Sequence, residues 1–316
     1  VKRRTFLKTV AASSALAIPG AVVAQDDSTP SPEGTPMTSS STESGYAPVN
    51  GLEIYYEIHG ADQGNTPLLV MHGSYMTIDT MLSFIGPMAA TRQVIAFEAQ
   101  GHGRTADLPD RPITYENMAD DAAGLLDHLG IAQADVSGYS LGACTAIRVA
   151  IRHPEKVRKL VPIAGTFRLD GWDPQVREMI ATITPDMFME TPFYEEYLRL
   201  APRPEDWPTF VEKLVAIDTT VPQDIPVADL QAIAAPALVI AGDQDSSTPQ
   251  HTVELFVALG GGIPGDLGLP VPKAQLAILP NTTHIQLLFA PEPAINAIVP
   301  PFLDAPMPES GATPAA

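Results

Sequence analysis

Gly138-Tyr139-Ser140-Leu141-Gly142 is the stretch on which the reading of this chain turns. It fits G-x-S-x-G, in which a serine occupies a sharp turn between a strand and a helix. The demand behind the pattern is steric: the residues two positions either side of the serine must be small so that backbones can pass. Such short motifs recur by chance, so the context decides. Residues 134–138 form an apolar run of strand character, and Leu141–Arg152 has helical spacing that stops before Pro154. A helix starting there would direct its first N–H groups toward negative charge developing near Ser140.

The alternation of strand-like and helix-like segments continues on both sides, which predicts a mainly parallel sheet covered by helices. Residues 52–58 alternate as a half-buried strand does, while Leu68–Met71 and Val94–Phe97 are short apolar runs. Residues 115–129 carry helical spacing through Met118, Ala122, Leu125 and Leu126, with Gly130 placed to end the helix. Further strands are expected at Val157–Ile163, 237–241 and 275–279. Residues 166–235 break the alternation. Helical pieces, prolines and large side chains such as Phe167, Trp172, Met179, Phe188 and Trp207 predict a mostly helical insertion there.

A serine hydroxyl becomes a nucleophile only beside a base, and the base needs an orienting acid. Of seven histidines, His284 follows the last expected strand, in Pro280-Asn281-Thr282-Thr283-His284. That is the carboxyl edge of the sheet, where ligands meet such folds. His72, His102 and His153 lie in or near other motifs, and His59, His128 and His251 have no special setting. Two acids follow the strand at 237–241, in Gly242-Asp243-Gln244-Asp245. The order Ser140, Asp245, His284 matches the Ser…Asp…His order of one large fold group.

With these residues in place, residues 48–303 resemble an α/β-hydrolase. The resemblance rests on His72-Gly73, on Gly101-His102-Gly103-Arg104, on the serine turn and on the late acid and histidine. It implies a mostly parallel eight-stranded sheet flanked by helices, built from residues 49–165 and 236–303, with 166–235 as a helical cap. It implies Asp245 rather than Asp243 as the acid, and an oxyanion hole made by the backbone N–H groups of Ser74 and Leu141. His72 and His102 are then structural. Two features depart from the family pattern. His72-Gly73-Ser74-Tyr75 replaces the glycine-rich loop of many lipases, and Glu98 stands where aspartate is more usual, a variation expected to be tolerated in a loop.

The chemistry so implied is acyl transfer to Ser140, with a small-molecule carboxylic ester or lactone as substrate. Tyr75, Tyr139, Trp172, Met179 and Phe188 are the expected pocket residues. Cleavage of C–C bonds, peptides or peracid chemistry on the same fold are alternatives, as is an inactive protein that only binds an apolar ligand. A haloalkane dehalogenase or epoxide hydrolase would want aspartate at position 140. No cofactor is expected, and no cluster has metal-ligand spacing; His251 with Asp245 is too few ligands for a metal. Cys144, the only cysteine, reads as a small buried residue, and no intrachain disulfide can form.

The 316 residues are 45% hydrophobic and 17% charged, an ordinary globular balance. The net charge of −19 becomes −23 once the four basic residues of positions 1–24 are set aside. Such acidity excludes nucleic acid as a partner and favours solubility. Lys2-Arg3-Arg4-Thr5-Phe6-Leu7-Lys8, a broken apolar stretch and Val22-Val23-Ala24 read as a twin-arginine export signal cleaved after Ala24. The expected partners in transit are the Tat export machinery and signal peptidase, with a periplasmic, surface or extracellular destination. Residues 25–48 read as a disordered Ser/Thr/Pro-rich tether, 304–316 as a similar tail, and 260–272 as a surface loop.

Overall fold

The computed structural model describes residues 43–219, 224–264, 272–290 and 293–308. The expected leader, the tether up to residue 42, residues 265–271 of the 260–272 loop and the tail from 309 lie outside them. Eight strands make one sheet: β1 (Glu43–Val49), β2 (Leu52–His59), β3 (Leu68–Met71), β4 (Val94–Phe97), β5 (Ala134–Tyr139), β6 (Val157–Ile163), β7 (Ala237–Gln244) and β8 (Ala274–Thr283). Their spatial order is β1-β2-β4-β3-β5-β6-β7-β8. The pairs β1–β2 and β2–β4 are antiparallel and the remainder parallel. Because β3 sits between β4 and β5, the chain reverses its direction of travel across the sheet beside the serine-bearing strand. Crevices at such reversals are where open α/β sheets hold ligands.

The helices are α1 (Leu82–Ala89), α2 (Tyr115–His128), α3 (Leu141–Arg152), α4 (Pro174–Ile180), α5 (Pro192–Leu200), α6 (Trp207–Thr219), α7 (Val227–Ala232), α8 (Pro249–Ala258), α9 (Gln286–Phe289) and α10 (Ile295–Asp304). Every side chain of β3 and β4 is buried, as strands covered on both faces require. Leu69, Met71, Ile95 and Phe97 face α2, α3 and α8, while Leu68, Val70, Val94 and Ala96 face α1, α9 and α10. The ends of α2 follow its sequence signals. The Thr114 hydroxyl accepts from the Asn117 N–H at 3.1 Å, and Gly130 lies just past the end at φ +69°.

The insertion between β6 and β7 holds α4 to α7. Its many prolines have a use: Pro174 and Pro192 begin α4 and α5, where no N–H is needed. The side chains of Asp173 and Thr191 cap those helices by accepting from Gln175 and Tyr194 N–H. The insertion is tied to the sheet body at several points. Lys213 of α6 donates to Asp107 at 2.7 Å, Arg199 of α5 to Asp79 at 2.7 Å, and Phe188 packs on Tyr75 with ring centroids 4.4 Å apart.

Three boundaries differ from the sequence reading. The tether expected to reach residue 48 contains β1, which pairs with β2 in the register Ala47 opposite Ile54. β1 is an edge strand, so half of it faces water and its composition is polar; only Ala47 and Val49 are buried. The missed signal was Asn50-Gly51, whose φ values of +50° and +86° make the tight two-residue hairpin. At the other end, Asp304 closes α10 instead of opening a tail: it pairs with the buried Arg92, and the Lys159 ammonium donates to the carbonyls of Phe302, Leu303 and Ala305. Finally, β7 and β8 run past the expected residues 241 and 279.

Candidate active site

Ser140 sits between β5 and α3 at φ +56°, ψ −115°, a region that L-residues rarely occupy. The glycines around it leave no room for a side chain. A Cβ on Gly138 would lie 2.1 Å from the Gly142 carbonyl oxygen, and one on Gly142 would lie 2.3 Å from the Met71 carbonyl oxygen. The turn is held by its own backbone: Ser140 N–H donates to Ile163 of β6 at 2.9 Å, and the Ser140 carbonyl accepts from Ala143 and Cys144 at 2.9 and 3.1 Å. These contacts fix the hydroxyl at the carboxyl edge of the sheet.

Two other strands deliver its partners there. His284, one residue past β8, places Nε2 3.1 Å from Ser140 Oγ and Nδ1 2.6 Å from Asp245 Oδ1. Asp245 follows β7, and its side chain is fully buried while that of His284 is 16% exposed. Burial works to raise the Asp245 carboxyl. His284, with the N–H groups of Gly242 and Ser247, outweighs it and holds the acid below the usual carboxylate range. Asp243 takes no part: it is exposed, and its carboxylate accepts from Thr282 N–H at 3.1 Å. Asp243 lies inside β7, at the irregularity in its pairing with β8 between Gly242 and Gln244, whereas Asp245 lies one residue past the strand end, where its carboxylate reaches His284.

Tyr139 has a role that sequence could not reveal. Its hydroxyl donates to the His284 carbonyl at 2.8 Å, and its ring lies against the imidazole, centroids 5.0 Å apart. The residue before the serine therefore positions the loop of the histidine, across 145 positions of chain. Trp172 approaches the other way, with its ring 6.1 Å from that of His284. It is held in place by a bridge to Ser247 in the Asp245 loop.

Ser74 and Leu141 both border the space beside Ser140. Leu141 is the first residue of α3, so its N–H belongs to the turn that has no partner within the helix. The loop bearing Ser74 is held by His72, whose Nδ1–H donates to Gly73 at 2.8 Å while Nε2 accepts from Ala99 N–H at 3.1 Å. Full burial pushes His72 down to about 4, so it is neutral and structural. His102 lies tilted against it, ring centroids 4.6 Å apart, and is likewise held neutral by burial. His251 accepts from Phe167 N–H at 3.1 Å and lies flat on that ring, engaged away from Asp245. Among the described residues no three His, Cys, Asp or Glu side chains are grouped to hold a metal ion.

Above Ser140 lies a cavity of about 500 Å³ between the sheet edge and the insertion. Tyr75, Tyr139, Trp172, Met179 and Phe188 all line it, as do Phe193 and the pair Tyr115–Asp218. Phe193 belongs with the large apolar side chains of the 166–235 insertion, whereas Tyr115 and Asp218 lacked any signal for the site, because they come from separate elements that only the fold brings together. Glu98 corrects an expectation. It is no loosely placed loop residue: its side chain is 0% exposed and accepts from Arg104 N–H at 2.5 Å and Arg104 Nη1 at 2.7 Å. Burial pushes its carboxyl up to about 7, against the pull of Arg104. Cys144 is buried in α3, and its thiol is raised by that burial.

A serine, a histidine and a carboxylate converging on one edge of a mostly parallel eight-stranded sheet, under a helical insertion, define the hydrolase class of α/β folds. Residues 68–295 match the pattern of the Alpha/beta hydrolase family, and the chain belongs to that family. The 2-hydroxymuconate semialdehyde hydrolase of Pseudomonas sp. (strain CF600) is 30% identical over 244 residues, which span 65% of this chain and 82% of that protein. A putative carbamate hydrolase, RutD, of Azorhizobium caulinodans is 37% identical over 128 residues, 40% of this chain and 46% of the relative. The chain thus spans about half the length of that relative. Among solved structures, the enol-lactonase of Burkholderia xenovorans LB400 superimposes with a TM-score of 0.62 at 23% identity, over 82% of this chain and 100% of that one. Hydrolysis is the activity common to the names of these relatives.

Proposed function

We propose that this chain is a serine hydrolase that cleaves a carboxylic ester or lactone through an acyl-enzyme. The observation that carries the reading is His284, bridging Ser140 Oγ at 3.1 Å and Asp245 at 2.6 Å on the floor of an apolar cavity. In this reaction His284 Nε2 takes the Ser140 proton as Oγ attacks the substrate carbonyl. The N–H groups of Ser74 and Leu141 hold the oxyanion that forms. His284 then passes the proton to the departing alkoxide, and the acyl group stays on Ser140. Water attacks the acyl-enzyme with His284 as base, which restores the hydroxyl and releases the acid. Asp245 accepts from Nδ1–H throughout, fixing the tautomer in which Nε2 is free to act.

An uncharged ester or lactone of modest size suits about 500 Å³ of mostly apolar space. A structural relative described as an enol-lactonase is consistent with that choice of bond. The test is labelling by a fluorophosphonate probe together with turnover of p-nitrophenyl esters and lactones. Both are expected in the wild type and both should fall by several orders of magnitude in Ser140→Ala. An undiminished Ser140→Ala protein would end the proposal.

Export by the twin-arginine route is the second part of the reading. It rests on Lys2-Arg3-Arg4 and on Val22-Val23-Ala24, which puts small residues at the two positions a signal peptidase reads. N-terminal sequencing of the protein recovered outside the cytoplasm should begin at Gln25. Retention in the cytoplasm with the leader intact would reject it.

A further inference from the structure

The walls of the cavity carry a consistent charge. Asp173, Asp218 and Asp245 line it, and among the described residues no Lys or Arg does. The internal stretches outside the described residues, 220–223, 265–271 and 291–292, contain no Lys or Arg either. Asp245 is committed to His284. Asp218, on α6, forms one polar end of the cavity with Tyr115, whose hydroxyl donates to it at 3.2 Å. Asp173 lines the cavity where the insertion begins, its carboxylate capping α4. The cation behind this end, Arg148, lies over the Tyr115 ring at 4.4 Å. It donates to Glu116 at 3.0 Å and to the Cys144 carbonyl at 3.1 Å, and is not part of the wall.

An anion entering the part of this space away from His284 loses its water and, among the described residues, meets no Lys or Arg in exchange. A hydroxyl or an ammonium meets acceptors instead. Building on the ester-cleaving reading above, we propose that the site selects by charge: it takes uncharged and cationic esters or lactones and rejects those with a carboxylate on the enclosed part. The negative net charge of the whole chain, −19, acts in the same direction at long range. The local and long-range contributions separate by salt, since the screening length falls to about 3 Å at about 1 M.

The experiment compares the p-nitrophenyl esters of hexanoic, 6-hydroxyhexanoic and 6-aminohexanoic acids with the mono-ester of adipic acid, which are of similar length and differ at the far end. The adipate ester is expected to fall at least about 100-fold below the hexanoate in kcat/KM, and to stay at least about 30-fold below it in about 1 M salt. The hydroxy and amino esters should match or exceed the hexanoate. Asp218→Asn should narrow the adipate penalty by about 10-fold, through loss of a charge facing the substrate. Should that variant fail to fold, Asp173→Asn, whose amide oxygen still caps α4, serves for the same ratio. An adipate ester cleaved within about 3-fold of the hexanoate, a penalty that vanishes in salt, or a ratio unmoved in the folded variants would each overturn the proposal. If the hexanoate ester is not cleaved and Ser140 takes no probe, the ester-cleaving reading fails and this inference falls with it.

Discussion

Replacing Asp245 by asparagine isolates the electrostatic part of the site from its framework. Asp245 Oδ1 meets His284 Nδ1 at 2.6 Å, while the carboxylate also accepts from Gly242 N–H at 3.2 Å and Ser247 N–H at 3.3 Å. All three neighbours are donors. Gly242 bonds Oδ2 while Ser247 shares Oδ1 with His284, so an asparagine that keeps its oxygen on Gly242 N–H turns its own NH₂ toward His284 and Ser247. The imidazole must then accept at Nδ1 and carry its proton on Nε2, where it faces the Ser140 hydroxyl it should deprotonate. The loop keeps its Gly242 bond and loses the Ser247 one, so the stability change should be about 1–2 kcal/mol. The rate should fall by about 10⁴-fold in kcat, equivalent to about 5.5 kcal/mol of transition-state stabilisation. Asp245→Ala differs in kind. It leaves two buried N–H groups unpaired and should cost about 2–4 kcal/mol of stability as well as the rate. The assay is kcat on a p-nitrophenyl ester beside chemical denaturation of both variants. An asparagine variant retaining more than about a tenth of wild-type kcat would refute the tautomer argument.

Other perturbations test separate features. Gly142→Ala forces a Cβ to within 2.3 Å of the Met71 carbonyl oxygen; we expect a loss of about 3 kcal/mol in denaturation and a fall of about 100-fold or more in kcat as Ser140 is displaced. Glu98 is raised to about 7 in the fold, above its ordinary value of 4.5, so its contribution to stability is full below about 4.5 and is lost as pH rises through about 7. Glu98→Gln should remove that slope from a pH series of denaturation curves, a difference of roughly 3 kcal/mol across the window. Asp245 has the opposite sign: its lowered value gives stability that is present above the ordinary carboxylate range and lost as acid is added. Phe188→Ala should cost about 2–4 kcal/mol and shift preference toward longer acyl chains, because Phe188 is buried against Tyr75 and Trp207 while bordering the cavity.

Much of this molecule is legible in its sequence wherever a local physical rule is strict. The serine turn demands small neighbours, and the apolar runs of β3 and β4 can only be strands buried on both faces. The order of Ser140, Asp245 and His284 is legible because it matches the Ser…Asp…His order of one fold group. Where rules are permissive, reading falters. An edge strand such as β1 carries polar residues on its open side, so its composition imitates a tether, and only the Asn50-Gly51 turn betrays it. Asp243 and Asp245 differ by two positions and no local preference separates them; only the place where β7 loses its regular pairing and ends puts one inside the strand and the other beyond it. Glu98 reads as a loop residue because nothing in its neighbours announces that Arg104 folds back onto it. Tyr115 and Asp218 meet on the cavity from separate elements, and a pairing of that range leaves no periodic trace.

The backbone at Ser140 carries a further consequence. A residue with a side chain at φ +56°, ψ −115° is held there against its own preference, at a cost of about 1–3 kcal/mol. Reactivity at this position is thus opposed to thermodynamic robustness. Ser140→Gly should melt above Ser140→Ala, by about 1–2 kcal/mol after allowance for the looser unfolded chain. The most durable version of this fold is therefore one that has given up its nucleophile, and any lineage that keeps the serine does so against a standing stability gradient.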